Sequence, residues 1–390
     1  GMSCGFCHVG PSPVHPPDDP EHPKFANLSS SVGAQYMWVD RLFIVDSNKP
    51  EGRRNFMYQL AHTFRPGSMD TSLVSTDSIN NPRTMNSVYE FVGRMGLAKR
   101  LWHEKLAGGE LDNKQFNDFI ASGPLTEFFE RSTSTVMTPH VLKDGADSVG
   151  LLGALNRVYL NIGLFSEEWL LHFNAIVGGK TITPIRIADA QKNSSYWNAT
   201  EAGTPNTALF FLKAAQPDYL KDAPDGEKYL DADAQMLDHG KDVYADTCAR
   251  CHSSKGPPPP ESLGLKPESC AGANYLACFK RYWKWTQGDE FKAQMREVVH
   301  ASDFLQGNYL SSDARIPVTL LRTNACSPLA TNAIGGNIWD NFSSQSYKQL
   351  PSVGSLTMYD PFDGAPFAYK MPAGGRGYSR VPSLIALWSS

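Results

Sequence analysis

"MLDHGKDVYADTCARCHSS", residues 236–254, decides how this chain is to be read. Leu237, Gly240, Val243 and Tyr244 recur at helical spacing, which predicts a helix running directly into Cys248. Cys248, Cys251 and His252 then form a C-x-x-C-H signature. On a helical turn, two thiols at this spacing reach the two vinyl groups of one porphyrin while the next imidazole reaches its iron, so the pattern suits covalent attachment of haem. Two other chemistries use a C-x-x-C pair: a thioredoxin-like dithiol and half of a zinc site. Neither requires histidine at the following position.

The signature occurs twice. "SCGFCHVG", residues 3–10, carries Cys4, Cys7 and His8. With 10 histidines among 390 residues, the chance of meeting histidine after both pairs is under about 0.001. Two covalently bound haems c are therefore the expected cofactors, with His8 and His252 as the proximal iron ligands. Haem c is joined to its protein outside the cytoplasm, so the motifs imply a periplasmic or secreted protein whose targeting segment has been removed; the opening residues show no signal peptide. Three residues precede Cys4. The helix that leads into Cys248 thus has no counterpart before the first motif, and truncation or proteolysis of a longer chain is the expected reason.

Composition fits a sizeable folded protein. The chain is 41% hydrophobic and 11% aromatic, enough for a true core, while 32 Gly and 27 Pro point to long ordered loops. A net charge of −4, before any haem propionates are added, argues against nucleic acid as a partner. The most apolar stretch, "VGLLGALNRVYLNIGLF" at 149–165, is broken by Asn156, Arg157 and Asn161 and reads as a buried helix rather than a transmembrane segment. Outside the motifs stand Cys270, Cys278 and Cys326. In an oxidising compartment a Cys270–Cys278 disulfide would close a short loop before "FKRYWKWT", leaving Cys326 free or for a partner; buried free thiols are the alternative.

Helices are predicted over about 87–107, 114–131, 147–176 and 278–300 from apolar residues at three and four spacing. Strand signals are few and short. The polar, Pro- and Gly-broken stretch at 213–235 is the best boundary. The expected fold is mainly α: two cytochrome c-like haem lobes with long loops and little β structure, residues 1–225 forming the first and 226–390 the second.

The sixth position on each iron sets its chemistry. A Met or His there gives a closed, electron-carrying haem, and an open position admits dioxygen or peroxide. Met371, before a proline in "AYKMPAGGRGY" (368–378), and His300, in "MREVVHASDF" (295–304), are the two candidate distal ligands of haem two. Trp102, Trp283 and Trp285 are candidate electron relays, with packing against porphyrin or core as the plainer role. Phe128 and Phe129 would suit an apolar pocket for dioxygen, whereas His103, Glu104 and Glu127 could serve the acid–base chemistry of a peroxidase. His103-Glu104 also begins like a zinc peptidase helix, but position 107 is Ala where a second His is needed.

The two widely spaced motifs, together with "NNPRTMNSVY" (80–89) and "RVPSLIALWS" (380–389), resemble the bacterial di-haem cytochrome c peroxidase superfamily. The segments at 148–174, "SSDARIPVTLL" (311–321) and "MPAGGRGYSRVPSLIALWS" (371–389) are similar to its rubber oxygenase branch. That resemblance implies an exported oxidoreductase whose haem one, on His8, is the reactive centre. Haem two, on His252, would transfer electrons. A redox partner protein, a small molecule or a polymer would be the partner, and a purely electron-transferring di-haem cytochrome, perhaps part of a larger redox assembly, is the alternative.

Overall fold

The computed structural model describes residues 10–29, 218–230, 233–266, 269–308, 310–312, 314–321, 349–360 and 363–381, with short stretches at 104–105, 130–131, 136–138, 192–195, 198–199, 384–385 and 388. Cys4, Cys7, His8, Trp102, His103, Glu127, Phe128, Phe129, Cys326 and the helix expected over 147–176 lie outside the described residues.

In the first half, β1 (Gly10–Pro11) pairs antiparallel with β2 (Leu28–Ser29). The turn between them is closed by Asn27, whose amide donates to the His15 carbonyl, and by Ser12, whose hydroxyl accepts from the His15 amide. Three short strands follow: β3 (Glu104–Lys105), β4 (Glu130–Arg131) and β5 (Val136–Thr138), with β5 in the middle. Glu104 and Glu130 thus lie on strands where the periodicity predicted the ends of two helices. In β5, the β-branched Val136 and Thr138 favour this outcome, because such side chains restrict χ1 and suit an extended backbone.

The second half is built on helices. α1 (Ala234–Val243) starts at Asp233, whose carboxylate accepts from the Gln235 amide, and continues through a widened π turn (Tyr244–Cys248) into α2 (Ala249–His252). The helix expected over 278–300 is two helices, α3 (Tyr275–Trp285) and α4 (Asp289–His300). The break has local causes. Thr286 and Gln287 both turn their side chains back onto the Trp283 carbonyl, and Gly288 is extended just before Asp289 and Glu290, whose charges suit the positive end of the new helix.

Among the described residues, two clusters form the core. In the first, Phe291, Met295 and Val299 recur every four residues along α4 and receive Ala245, Ala249 and Phe304; the two alanines let the backbones approach closely. In the second, Val318, Leu350, Val353, Met371 and Tyr378 pack together. Around it β6 (Arg315–Pro317) leads into α5 (Val318–Leu321) and pairs with β9 (Tyr378–Arg380), while β7 (Ser355–Tyr359) and β8 (Pro366–Lys370) make a hairpin.

α1 docks differently from its sequence pattern. Leu237 and Val243 are about half exposed, and what faces α4 is a carboxylate edge. Asp246 accepts two bonds from the Arg296 guanidinium, and Asp242 lies 2.9 Å from His300 Nε2. Asp238, 4.0 Å from His300 Nδ1, continues the row. No helix among the described residues is long and apolar enough to cross a membrane.

Candidate functional site

Cys248 and Cys251 sit at the C-terminal end of the helical run that begins at Ala234, both half-buried and both free thiols. By contrast Cys270 and Cys278 form the disulfide expected from their spacing, with Cα atoms 5.6 Å apart. Position matters for chemistry. Dithiol oxidoreductases lower a thiol's pKa at a helix N-terminus, where the dipole is positive. Here the pair stands at the opposite end, and burial pushes the Cys251 thiol up to about 11, so it stays neutral at physiological pH.

The turn carrying His252 is held from three directions. Tyr244 donates its hydroxyl to the His252 carbonyl, and burial raises the pKa of that phenol. Thr247 donates to the Val243 carbonyl, and its hydroxyl oxygen lies 3.4 Å from Cys248 Sγ. Beyond His252 the chain is fixed by Asn308, which is 2% exposed. Its Oδ1 accepts from the Ser254 amide and hydroxyl at 3.0 Å each, while its Nδ2 donates to Ser253 Oγ at 3.1 Å. A buried amide with both ends satisfied thereby locks the residues after the motif to a segment more than fifty positions away.

One side of the motif is an aromatic wall on α3. Tyr275 stacks on Phe279 at 5.8 Å, Phe279 meets Tyr282 and Trp283 at 5.9 and 6.0 Å, and Trp285 packs edge-on against Phe291 at 4.9 Å. Burial pushes the Tyr282 phenol up to about 12, with Cys251 adding to the shift. From the motif itself Arg250 reaches over the Trp283 ring, 5.1 Å from its centroid. The wall continues into the second cluster, where Tyr275 meets Tyr378 at 6.0 Å.

Met371 and His300 end in different settings. Met371 is 1% exposed in the second cluster; its amide donates to Gly354 and its carbonyl accepts from Ser352 Oγ. His300 lies at the α1–α4 edge, with both imidazole nitrogens directed at aspartates. Trp283 and Trp285 both belong to the wall beside Cys251. Reading the sequence missed Asn308, the Tyr244 hydroxyl and Tyr282: no spacing rule links Asn308 to the motif, whereas "RYWKW" did draw notice, but through its tryptophans.

The residues present suit a haem. Two unbridged thiols and an imidazole share one rigid turn against an apolar aromatic wall, and the buried Trp285 Nε1 has no hydrogen-bond acceptor among the described residues. A carboxylate-bearing group seated there would supply one. Compared with known protein families, curated proteins and solved structures, the chain shows no match to any.

Proposed function

We propose that this chain is an exported di-haem c-type oxidoreductase of the bacterial cytochrome c peroxidase superfamily, nearest its rubber oxygenase branch. The haem held by Cys4, Cys7 and His8 is the site of dioxygen or peroxide chemistry, and the haem held by Cys248, Cys251 and His252 carries electrons to or from it. When bound, haem supplies one-electron redox chemistry and, where an axial position is open, reactivity toward dioxygen or peroxide. The observation that carries the reading is the doubled C-x-x-C-H signature, one copy of which has both thiols unbridged at the end of a rigid helix in a chain that elsewhere closes a disulfide.

The described residues have definite tasks in this reading. Cys248 and Cys251 anchor haem two and His252 ligates its iron. Tyr244 and Asn308 fix the turn so that the imidazole keeps one direction. Phe279, Tyr282 and Trp283 would keep water from the group, and the Trp285 N–H would be free to bond a carboxylate of it. Met371, buried and clamped through its backbone on both sides, would be the candidate for a second ligand; His300 is committed to Asp238 and Asp242.

Alkaline pyridine with a reductant gives the absorption band of thioether-linked haem, in a yield of two per chain. Carbon monoxide binds the reduced protein at one haem, and His8→Ala abolishes that binding while sparing the spectrum of haem two. No haemochrome band refutes the assignment. Two haems that both refuse carbon monoxide make the protein a pure electron carrier.

A further inference from the structure

We infer that the outer face of α3 is a docking surface for an acidic protein that exchanges electrons at the second C-x-x-C-H motif, an inference that rests on the function proposed above. Ala277, Lys280, Arg281 and Lys284 lie three or four residues apart from one turn to the next, on one face of α3, and are all exposed. α3, "YLACFKRYWKW", contains no acidic residue. Arg250, from the motif, adds a fourth cation over Trp283.

Among the described residues these charges are uncompensated. On the neighbouring helices Lys241, Arg296 and His300 each lie within 4.0 Å of a carboxylate. Among the described residues, none of Arg250, Lys280, Arg281 and Lys284 has such a partner. Arg281 bonds instead to the Leu263 carbonyl and the Cys278 sulfur. Like charges four apart, as at Lys280 and Lys284, destabilise a helix, and no carboxylate among the described residues offsets them. In a chain of net charge −4 it is a local reversal of sign.

The inner side of the same helix identifies the cargo. Phe279 and Tyr282 face inward beside Cys251, and half-buried Trp283 under Arg250 marks the edge where the patch meets that inner side. Trp and Arg are the side chains that most often anchor protein interfaces, and a basic rim accelerates encounter with an acidic face. Nucleic acid and anionic bilayers extend well beyond one helix face and would meet the repulsion of the net negative chain. A small acidic protein need present only its own patch.

The test uses the haem-loaded protein and immobilised flavodoxin, an acidic one-electron carrier. Wild type binds, with affinity falling about tenfold or more between about 20 and 200 mM salt. The double variant Lys280→Glu/Lys284→Glu loses about tenfold or more at low salt and most of the salt dependence, and Lys280→Gln/Lys284→Gln, which only neutralises, falls between. Stopped-flow reduction by flavodoxin drops in parallel, whereas reduction by an uncharged hydroquinone is unchanged. Equal binding by wild type and both variants, no binding by wild type, or tighter charge-dependent binding to phosphatidylglycerol vesicles overturns the inference. A missing haemochrome band instead overturns the proposed function, and flavodoxin binding, which needs no haem, reports on the surface separately.

Discussion

Asn308 shows how one side chain far away in sequence can set the geometry of a motif. Asn308→Ala removes the acceptor of the Ser254 amide and hydroxyl and a donor to the Ser253 hydroxyl in a largely buried setting, and should lower stability by about 1–3 kcal/mol; urea unfolding measures this directly, and Asn308→Asp, which keeps the acceptor oxygen, should recover part of the loss. Gly377 acts by what it lacks. Its φ is +85°, and an added Cβ would lie 2.7 Å from Val353 Cγ2 and 3.1 Å from Met371 Cε. Both the backbone and the packing therefore oppose a side chain there. Gly377→Ala is expected to cost about 1–3 kcal/mol, read as a fall in the midpoint of thermal unfolding.

At the scale of elements, the helical run from α1 through the π turn into α2 meets α4 through two kinds of contact: Ala245 and Ala249 against Phe291, Met295 and Val299, and a row of aspartates against Arg296 and His300. The second is pH-dependent. The hydrogen bonds from Arg296, followed by the charges of Arg296 and Lys292, hold the Asp246 carboxyl below the usual aspartate range. A native pKa below the unfolded one adds stability that is present above the ordinary aspartate value and is lost as pH falls through the lowered native value. Arg296→Gln should accordingly reduce the unfolding temperature at neutral pH, with the gap from wild type closing below about pH 3.9. A gap that persists at lower pH would assign the role of Arg296 to the packing of its stem.

For the molecule as a whole, the assignment of the second iron ligand separates the two candidates. If the proposed second haem is present, His300→Gln should leave its absorption spectrum unchanged, while Met371→Ala should convert it to that of an iron with one protein ligand. The parts of this picture legible in the sequence were those encoded within a few residues: the helix entering Cys248 and the Cys270–Cys278 bridge. Where it misled, a local competitor won. Thr286, Gln287 and Gly288 interrupt a periodicity that continues across them, and the β-branched Val136 and Thr138 of β5 favour the strands that hold Glu104 and Glu130. α1 shows a third limit: an apolar stripe cannot say which side of a helix docks when alanines one turn later and aspartates on another edge supply the contact. Asn308 and Tyr244 act through tertiary proximity and leave no mark on spacing.

The widened turn at Tyr244–Cys248 has a mechanical meaning. A π turn carries one residue more than a regular turn, and each residue of an α-helix advances the next by about 100° around the axis. It therefore works as a phase shifter between the anchored shaft of α1 and the head that bears Cys251 and His252. Deleting one residue there would leave both halves helical yet swing the head about a quarter-turn out of alignment, so a protein that folds normally would emerge with its thiols aimed at the wrong neighbour.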